Sequence, residues 1–232
     1  MDIGLIGIYN DPNLGPPAAA AFLFWGIFSI TFHELAHGWA ALWQGDGTPR
    51  EQGRMTWNPM VHMGIYSIIC LLLVGIAWGS MPTDPSRYRW GRQGRIVVSG
   101  AGPLSNAVLA FLCWTIWGVL IGTGTFDRAA NAENPPLLEN TMNFLWIGGM
   151  LNGLLAIFNM LPLPPFDGAS VVAGFSRTYY RWMHDPRVQS VGFFVVLVAL
   201  FSGLSTLCAN ASITVGVVWA SIVAGLTGGR GA

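Results

Sequence analysis

The chain has 232 residues, of which 53% are hydrophobic and only 9% are charged, and its mean hydropathy is +0.51. Soluble domains usually carry about 25% charged residues, so this composition argues against a water-soluble globule and favours an integral membrane protein. The formal net charge is zero, which leaves no basic surface for binding nucleic acid.

Six apolar stretches follow in chain order, at about residues 17–43, 62–81, 96–122, 143–163, 188–207 and 211–226. A membrane-spanning helix needs about 20 apolar residues, within a range of about 17 to 25. The second stretch falls short, because its strongly apolar part covers only 65–78 and glycines interrupt it; such segments are typically re-entrant or buried. We therefore predict an all-α polytopic membrane protein of five to six transmembrane helices, with one re-entrant or membrane-embedded hairpin segment.

The arginines predict the orientation, because cytoplasmic loops carry an excess of basic residues. If all six stretches cross, the arginines divide 8 to 3 between the two sides. If the second stretch dips in and returns, Arg50 and Arg54 change sides and the division becomes 10 to 1. The sharper division favours five crossings, with the N-terminus outside and the C-terminus in the cytoplasm. The N-terminus also lacks the basic region of a secretory signal, so we expect no cleavage there.

The first stretch contains "SITFHELAHGWAALW", in which three ionisable residues stand among apolar ones. On a helix, His33 and His37 are four positions apart and project from one face, so both imidazoles can bind one metal ion. Glu34 lies about 100° around the helix from His33, within reach of a water molecule at that metal. An ionisable residue at mid-span costs about 2.5–3.5 kcal/mol, which argues against an accidental match to HExxH.

A catalytic zinc site uses three protein ligands and one open position, so two histidines leave it one ligand short. Three residues are candidates: His62 after the turn "WNPMVH", His184 in an arginine-rich loop that we expect to face solvent, and Asp167 in "FNMLPLPPFDGAS". The three prolines of that last segment cannot continue a helix and favour extended backbone. Irregular backbone at membrane depth is tolerated where it is buried or lines a cavity. We expect the Asp167 carboxylate to point into the site, followed by a turn whose backbone conformation glycine at position 168 permits.

These motifs together resemble the site-2 protease family of intramembrane zinc metalloproteases, in its compact prokaryotic branch without PDZ or CBS domains. The resemblance lies in "HELAH", "NMLPLPPFDG" and "SGAGPLSNAVLA", which match the HExxH, NxxPxPxxDG and GPxxN patterns of the family. It covers about residues 30–170, and the last two spans match in hydrophobicity alone.

The resemblance implies that one Zn²⁺ per chain is bound by His33, His37 and Asp167 and that Glu34 is the catalytic base. It makes three further residues candidates for binding the substrate or the oxyanion: Asn159, Asn106 and His62. Of these, Asn106 is expected to pack or hydrogen-bond near the cleft. The chain departs from the branch after the histidine of "NPMVH", where the usual aspartate is absent. No span precedes the HExxH helix, so we expect no gate built from one.

The resemblance also implies a multi-pass protein of a prokaryotic cell membrane, with its active site toward the cytoplasm. The expected partners are transmembrane protein substrates and the lipid bilayer, with no nucleic acid, and the oligomeric state is left open. We expect residues 1–232 to form a single integral membrane domain, with a catalytic core at about 17–170 and two C-terminal spans at about 188–227.

The predicted function is hydrolysis of peptide bonds within or near transmembrane segments of membrane-anchored substrates, that is, regulated intramembrane proteolysis. The alternative is a zinc-binding membrane protein without proteolysis, either a metal transporter or an inactive relative that binds clients. Transport calls for further polar residues across the bilayer, and residues 96–122 and 188–226 contain no charged residue. Glu34 argues against the inactive relative, because binding zinc does not require it.

Overall fold

The computed structural model describes Tyr9 and residues 15–125 and 135–228. Within these residues the regular structure is helical throughout, and no strand is present. The helices of the described residues are, in chain order, α1 Gly15–Trp43, α2 Thr48–Glu51, α3 Pro59–Val74, α4 Arg92–Gly122, α5 Pro135–Asn159, α6 Asp167–Phe175, α7 Arg177–Met183, α8 Pro186–Phe201 and α9 Leu204–Gly228. The predicted all-α class is confirmed.

Four of the described helices, α1, α4, α5 and α9, are long and apolar enough to cross a membrane. In its most apolar window α1 is 61% buried, whereas α4 and α9 are 28% buried and α5 is 39% buried. Helix α1 is therefore the most buried of the four: it packs against α3, α4 and α5, whereas α9 packs against α4 and α5. The polytopic class is confirmed, and the predicted HExxH helix is its most buried span.

The predicted fifth span corresponds to α8 and the first residues of α9. Gly203 divides the predicted fifth span, because its φ of +96° lies in the left-handed region that favours glycine. Helix α8 ends before this turn and has only 16 residues. At 1.5 Å per residue it is about 24 Å long, less than the roughly 30 Å of a hydrocarbon core. Residues 204–207 belong to α9 instead.

The second apolar stretch begins and ends with local signals. The Asn58 side chain caps α3 by accepting a hydrogen bond from the Met60 amide at 3.0 Å, with Pro59 in the first turn, a favoured start for a helix. The helix is broken at Gly64 and ends at Gly75, whose φ of +77° is typical of a glycine that stops a helix. The chain can therefore reverse after α3.

Residues 76–80 then run back along α3. The Ser67 hydroxyl donates to the Trp78 carbonyl at 2.7 Å and accepts from the Trp78 amide at 2.8 Å. The Ser80 amide donates to the His62 carbonyl at 3.1 Å. Because the residue numbers run in opposite directions, the pairing is antiparallel and the stretch leaves at the end of the bundle where it entered. The predicted hairpin is confirmed.

Helix α4 runs antiparallel to α1, since His37 contacts Val98 and His33 contacts Asn106. Helix α9 is parallel to α4. A β-carbon on Gly118 would lie 2.7 Å from the Ala220 carbonyl oxygen, and, one turn later, one on Gly122 would lie 2.5 Å from the Ala224 carbonyl oxygen.

The C-terminal end of α9 consequently lies at the end of the bundle where α1 begins. The predicted sides of the two chain termini concern residues outside the part of the chain that the structure describes, so that orientation stays a prediction.

Candidate metal centre

The candidate site is built on one face of α1, as the helical period requires for residues four apart. His33 and His37 are both buried, and their Nε2 atoms are 3.0 Å apart. Helix α4 covers this face and shields it from solvent, since His33 and His37 contact Asn106 and Val98. The two imidazoles that the sequence placed on one helix face therefore converge in the middle of the bundle.

Asp167 reaches the same point from the far end of α5. Its Oδ2 atom lies 3.1 Å from His33 Nε2 and 3.2 Å from His37 Nε2. The prolines stop α5 at Asn159, as predicted, but the segment that follows is not extended. Backbone hydrogen bonds of 2.9 Å from Leu163 to Leu161 and from Phe166 to Leu163 fold it into turns, which shorten the path to the site.

Gly168 is required for a different reason from the predicted one. Its φ is not among the positive values of the described glycines, and it lies in the first turn of α6. A β-carbon at this position would overlap the Met160 carbonyl group and would lie 2.5 Å from the Leu161 carbonyl oxygen. Glycine therefore lets α6 pack directly on the turn that follows α5, and this contact holds Asp167 in place.

The hydrogen bonds of the remaining ring nitrogens fix the tautomers of both histidines. His37 Nδ1 donates to the Val98 carbonyl at 2.7 Å, and His33 Nδ1 lies 2.5 Å from Asn106 Oδ1. Both partners are acceptors, so in the neutral imidazoles the proton is on Nδ1 and the lone pair is on Nε2. Hydrogen bonds of this kind typically orient histidines that bind metals.

Three lone-pair atoms therefore point at one another: two imidazole Nε2 atoms and one carboxylate oxygen. Such a set is stable when a cation lies between its members. Ligands at about 2.0–2.1 Å from a tetrahedral zinc ion would be about 3.3 Å apart, close to the observed 3.0–3.2 Å. These are the residues of the described chain in which three potential ligands lie within 4.8 Å of one another. The donor set fits a zinc ion.

The fourth side of the site is open to small molecules. The Asp167 side chain is 24% exposed, compared with 9% for His33 and 10% for His37. Solvent can therefore reach the site next to the carboxylate, whereas the imidazole side is closed by α4. This combination of three ligands and one accessible position is the pattern of catalytic rather than structural zinc sites.

Glu34 lies against the returning segment of the hairpin. The residue is 6% exposed, and a β-carbon on Gly79 would lie 2.5 Å from Glu34 Oε1. The absence of a side chain at Gly79 thus lets the backbone of residues 76–80 pass directly over the carboxylate. The hairpin therefore closes off Glu34 on this side.

The segment after Gly79 is anchored to the loop that follows α1. The Asp46 carboxylate is fully buried and accepts hydrogen bonds from the Thr48 amide at 3.0 Å and the Asp84 amide at 2.7 Å. The hydroxyl and the amide of Ser86, which donate to the Asp84 carboxylate, hold the pKa of Asp84 below its ordinary value. Both ends of the segment that covers Glu34 are therefore fixed.

Three other predicted candidates lie outside the cluster of His33, His37 and Asp167. His62 is buried and its Nε2 atom is 2.7 Å from the Thr56 carbonyl oxygen. Asn159 donates to the Leu155 carbonyl of its own helix at 3.0 Å. His184 is exposed on the loop after α7, as expected, with Nδ1 2.8 Å from the Tyr180 carbonyl oxygen. Among the residues described, the third potential ligand beside the two α1 histidines is thus Asp167.

Asn152 is a polar residue of the site that the sequence analysis did not identify. It is fully buried on α5, and its Oδ1 atom accepts a hydrogen bond from Asn106 Nδ2 at 3.0 Å. The signal in the sequence was an amide in the middle of the fourth apolar stretch, since side chains of this kind in membrane spans form hydrogen bonds between helices.

Gly102 forms the wall of the site opposite α1. A β-carbon there would lie 2.5 Å from His33 Nε2 and closer still to His37 Nε2, in the space that a bound cation needs. We expect Gly102→Ala to abolish metal binding, with the zinc content of detergent-purified protein falling from one ion per chain to a small fraction. Alanine favours a helix over glycine by roughly 1 kcal/mol, so α4 itself should remain folded.

Gly100→Ala is the matched control, because a β-carbon at Gly100 meets nothing within 4 Å. This variant should bind zinc like the wild type, and both variants should retain the helical circular dichroism spectrum. Full zinc content in Gly102→Ala would show that the space between the histidines and α4 is not the metal site.

Comparisons with known proteins agree with this geometry. A sequence model described as "Peptidase family M50" matches residues 21–203. A protein of Bacillus subtilis (strain 168) named "Putative zinc metalloprotease YwhC" is 34% identical over 181 residues, which cover 78% of this chain and 80% of the relative. No solved structure matches the chain. The family match includes α1, the hairpin and the turn that carries Asp167, and therefore every residue of the centre described above.

Proposed function

The chain belongs to peptidase family M50, the site-2 protease family, and on this premise we propose that it is an intramembrane zinc metalloprotease. Its substrates are membrane-anchored proteins, cut within or near their transmembrane segments. The observation that carries the proposal is the convergence of His33, His37 and Asp167 beside the buried Glu34, on a helix long and apolar enough to span a membrane.

The two histidines and Asp167 would hold one Zn²⁺ per chain. When bound, zinc polarises the scissile carbonyl group and makes the attacking water more acidic. The protein contributes the closed, apolar surroundings: α4 covers the imidazoles, and the hairpin covers Glu34. Electrostatic interactions are strongest where bulk water is excluded.

Glu34 is the general base in this mechanism. Its carboxylate takes a proton from the attacking water and then delivers it to the leaving amine, as a carboxylate within hydrogen-bond reach of both can do. The Gly79 backbone restricts Glu34 on one side, which holds the carboxylate in position. Asn159, near the end of α5, is proposed to contact the substrate backbone. Asn106 is proposed to orient His33 through the hydrogen bond to its Nδ1 atom.

We place the protein in a prokaryotic cell membrane with the metal centre toward the cytoplasm. Nine of the eleven arginines lie in or beside the connections at the end of the bundle where α1 finishes. The other two, Arg128 and Arg230, lie outside the described residues. The excess of basic residues at one end follows the positive-inside rule, and it places the start of α1 and the end of α9 on the outer side.

A transmembrane substrate hides its peptide groups in helical hydrogen bonds, so it has to unwind before it can reach Glu34. We expect a single-span substrate with an Asn-Pro pair near the cleavage site to be cut faster than the same segment built from leucine alone. Proline removes a helical hydrogen bond and costs about 3 kcal/mol in a helix. Cleavage by the reconstituted protein in liposomes, followed by mass spectrometry of the fragments, measures this effect.

Two comparisons complete this experiment. An Asn-Pro pair moved to the opposite end of the same segment should have little effect, because the metal centre lies toward one side. Equal cleavage of the all-leucine substrate and both proline substrates would argue against local unwinding, and a lack of cleavage of every substrate would argue against proteolysis itself.

A further inference from the structure

A chain of three hydrogen bonds connects α5 to the metal centre. The Asn152 Nδ2 group donates to the Gly148 carbonyl at 2.9 Å. The Oδ1 atom of Asn152 accepts from Asn106 Nδ2 at 3.0 Å, and Asn106 Oδ1 lies 2.5 Å from His33 Nδ1. Both asparagine side chains are fully buried, so no solvent competes for these groups.

The donors and acceptors of these three hydrogen bonds can be arranged in one direction only. A backbone carbonyl only accepts, so the NH₂ group of Asn152 faces Gly148 and its oxygen faces Asn106. Asn106 must then present its NH₂ group to Asn152, which leaves its oxygen for His33. The same NH₂ group also lies 3.4 Å from the Ser29 carbonyl oxygen. His33 therefore carries its proton on Nδ1 and presents the Nε2 lone pair to the centre.

We propose that Asn152 is a positioning residue for the metal ligand His33, acting through Asn106. The inference rests on the metal-binding role of His33 in the proposed function. Asn152 orients the amide of Asn106, and this amide fixes the tautomer and the ring plane of His33. Without Asn152, the Asn106 amide can rotate by 180° and offer a donor to Nδ1, which favours the tautomer with a proton on Nε2 and no lone pair for the metal.

The first test is the zinc dissociation constant of Asn152→Leu, measured on apo protein by competition with a chromophoric chelator. Leucine has the same branching and the same number of side-chain heavy atoms as asparagine, but it cannot accept a hydrogen bond. We expect affinity to fall by about 10- to 100-fold, the usual effect of losing a hydrogen bond that supports a metal ligand. The visible spectrum of the Co²⁺-loaded variant should also change, because the His33 ring moves.

Asn152→Asp separates positioning from packing. A protonated aspartate has the same shape as asparagine, with a hydroxyl to donate to Gly148 and a carbonyl oxygen to accept from Asn106. This variant should therefore bind zinc nearly as tightly as the wild type.

Ser212→Ala is the packing control. Ser212 on α9 is fully buried and donates to the Met150 carbonyl at 3.0 Å. Its loss removes an interhelical hydrogen bond in the same region without touching His33.

The sharpest test is a double substitution. In Asn106→Asp both carboxylate oxygens accept, so either orientation satisfies His33 Nδ1, and carboxylates are common partners of metal-binding histidines. Asn152→Leu should then cost no zinc affinity in the Asn106→Asp background, although it does in the wild type. A merely structural role would give the same loss in both backgrounds.

Three results would overturn the inference. They are wild-type affinity in Asn152→Leu, an equal loss in Asn152→Leu and Ser212→Ala, and an unchanged loss in the Asn106→Asp background. If Asn152→Leu does not fold, low zinc affinity in folded Asn152→Asp also overturns it. A wild-type chain that binds no zinc would contradict the proposed metal site itself, a result distinct from the other outcomes.

Discussion

Glu34→Gln is expected to bind zinc like the wild type and to cleave its substrates about 10²- to 10⁴-fold more slowly, the usual contribution of general acid–base catalysis. Glutamine has nearly the same shape as glutamate but cannot accept a proton from water. The three potential ligands, His33, His37 and Asp167, are unchanged by this substitution. The measurement is the initial cleavage rate of a labelled single-span substrate in liposomes, together with the zinc content of the same preparation.

The matched control is Glu51→Gln, which makes the same chemical change away from the site. Glu51 is exposed and pairs with Arg87 at 2.9 Å, and exposed ion pairs contribute about 0–1 kcal/mol to stability. Its cleavage rate should be unchanged. Equal rates in Glu34→Gln and the wild type would remove Glu34 as the base. Zinc binding without cleavage in the wild type would instead favour an inactive relative or a transporter.

Asp167→Ala is expected to weaken zinc binding by more than about 100-fold, since losing a ligand costs more than losing one of the hydrogen bonds that support it. The carboxylate lies within hydrogen-bond distance of both Nε2 atoms, and alanine leaves two ligands where a catalytic zinc site needs three. The zinc content of detergent-purified protein and the dissociation constant by chelator competition both measure the effect. Cleavage should be lost in parallel.

Asp185→Ala separates loss of a ligand from damage to a helix start. Asp185 precedes α8, and its carboxylate accepts from the Arg187 amide at 2.8 Å. Its replacement removes a helix cap, which costs about 0.5–2 kcal/mol, but should leave zinc binding intact. Near-full zinc content in Asp167→Ala would exclude Asp167 as a ligand. His62 would then be the next candidate, although its Nε2 atom lies beside the Thr56 carbonyl oxygen.

Together the two variants distinguish failure of chemistry from failure of metal binding. In Glu34→Gln cleavage alone is lost, whereas in Asp167→Ala both cleavage and zinc are lost. If the zinc site were structural, Asp167→Ala would still lose zinc, but the wild type would show no cleavage. The pair therefore tests the assignment of each residue as well as the proposed reaction.

Much of the site could be predicted because its signals are local. The four-residue spacing of His33 and His37 places them on one face of any helix, whatever surrounds it. The end of α5 before the prolines and the end of α3 at Gly75 follow from backbone dihedral angles that few other residues can adopt. The motifs in "HELAH" and "NMLPLPPFDG" also predicted the family that the comparisons show.

Other predictions depended on contacts between distant residues and could not be settled from the sequence. The spacing left Asp167, His62 and His184 as alternatives for the third ligand, and the fold brings together residues 134 positions apart. Hydropathy also does not reveal where α8 stops and α9 begins, because both helices lie in apolar sequence. Packing of Gly118 and Gly122 on α9 then sets the direction of the last helix.

Periodicity and dihedral preferences act over a few residues, so they indicate from sequence alone which residues can bind a metal and where the backbone turns. Which of those residues meet depends on the packing of the helices, and this packing also brings Asn152 to the centre. An amide in an apolar span has no visible role until its partner is known. Its hydrogen bond is made across helices, and the packing of whole helix faces determines which groups lie within the 3 Å that such a bond requires.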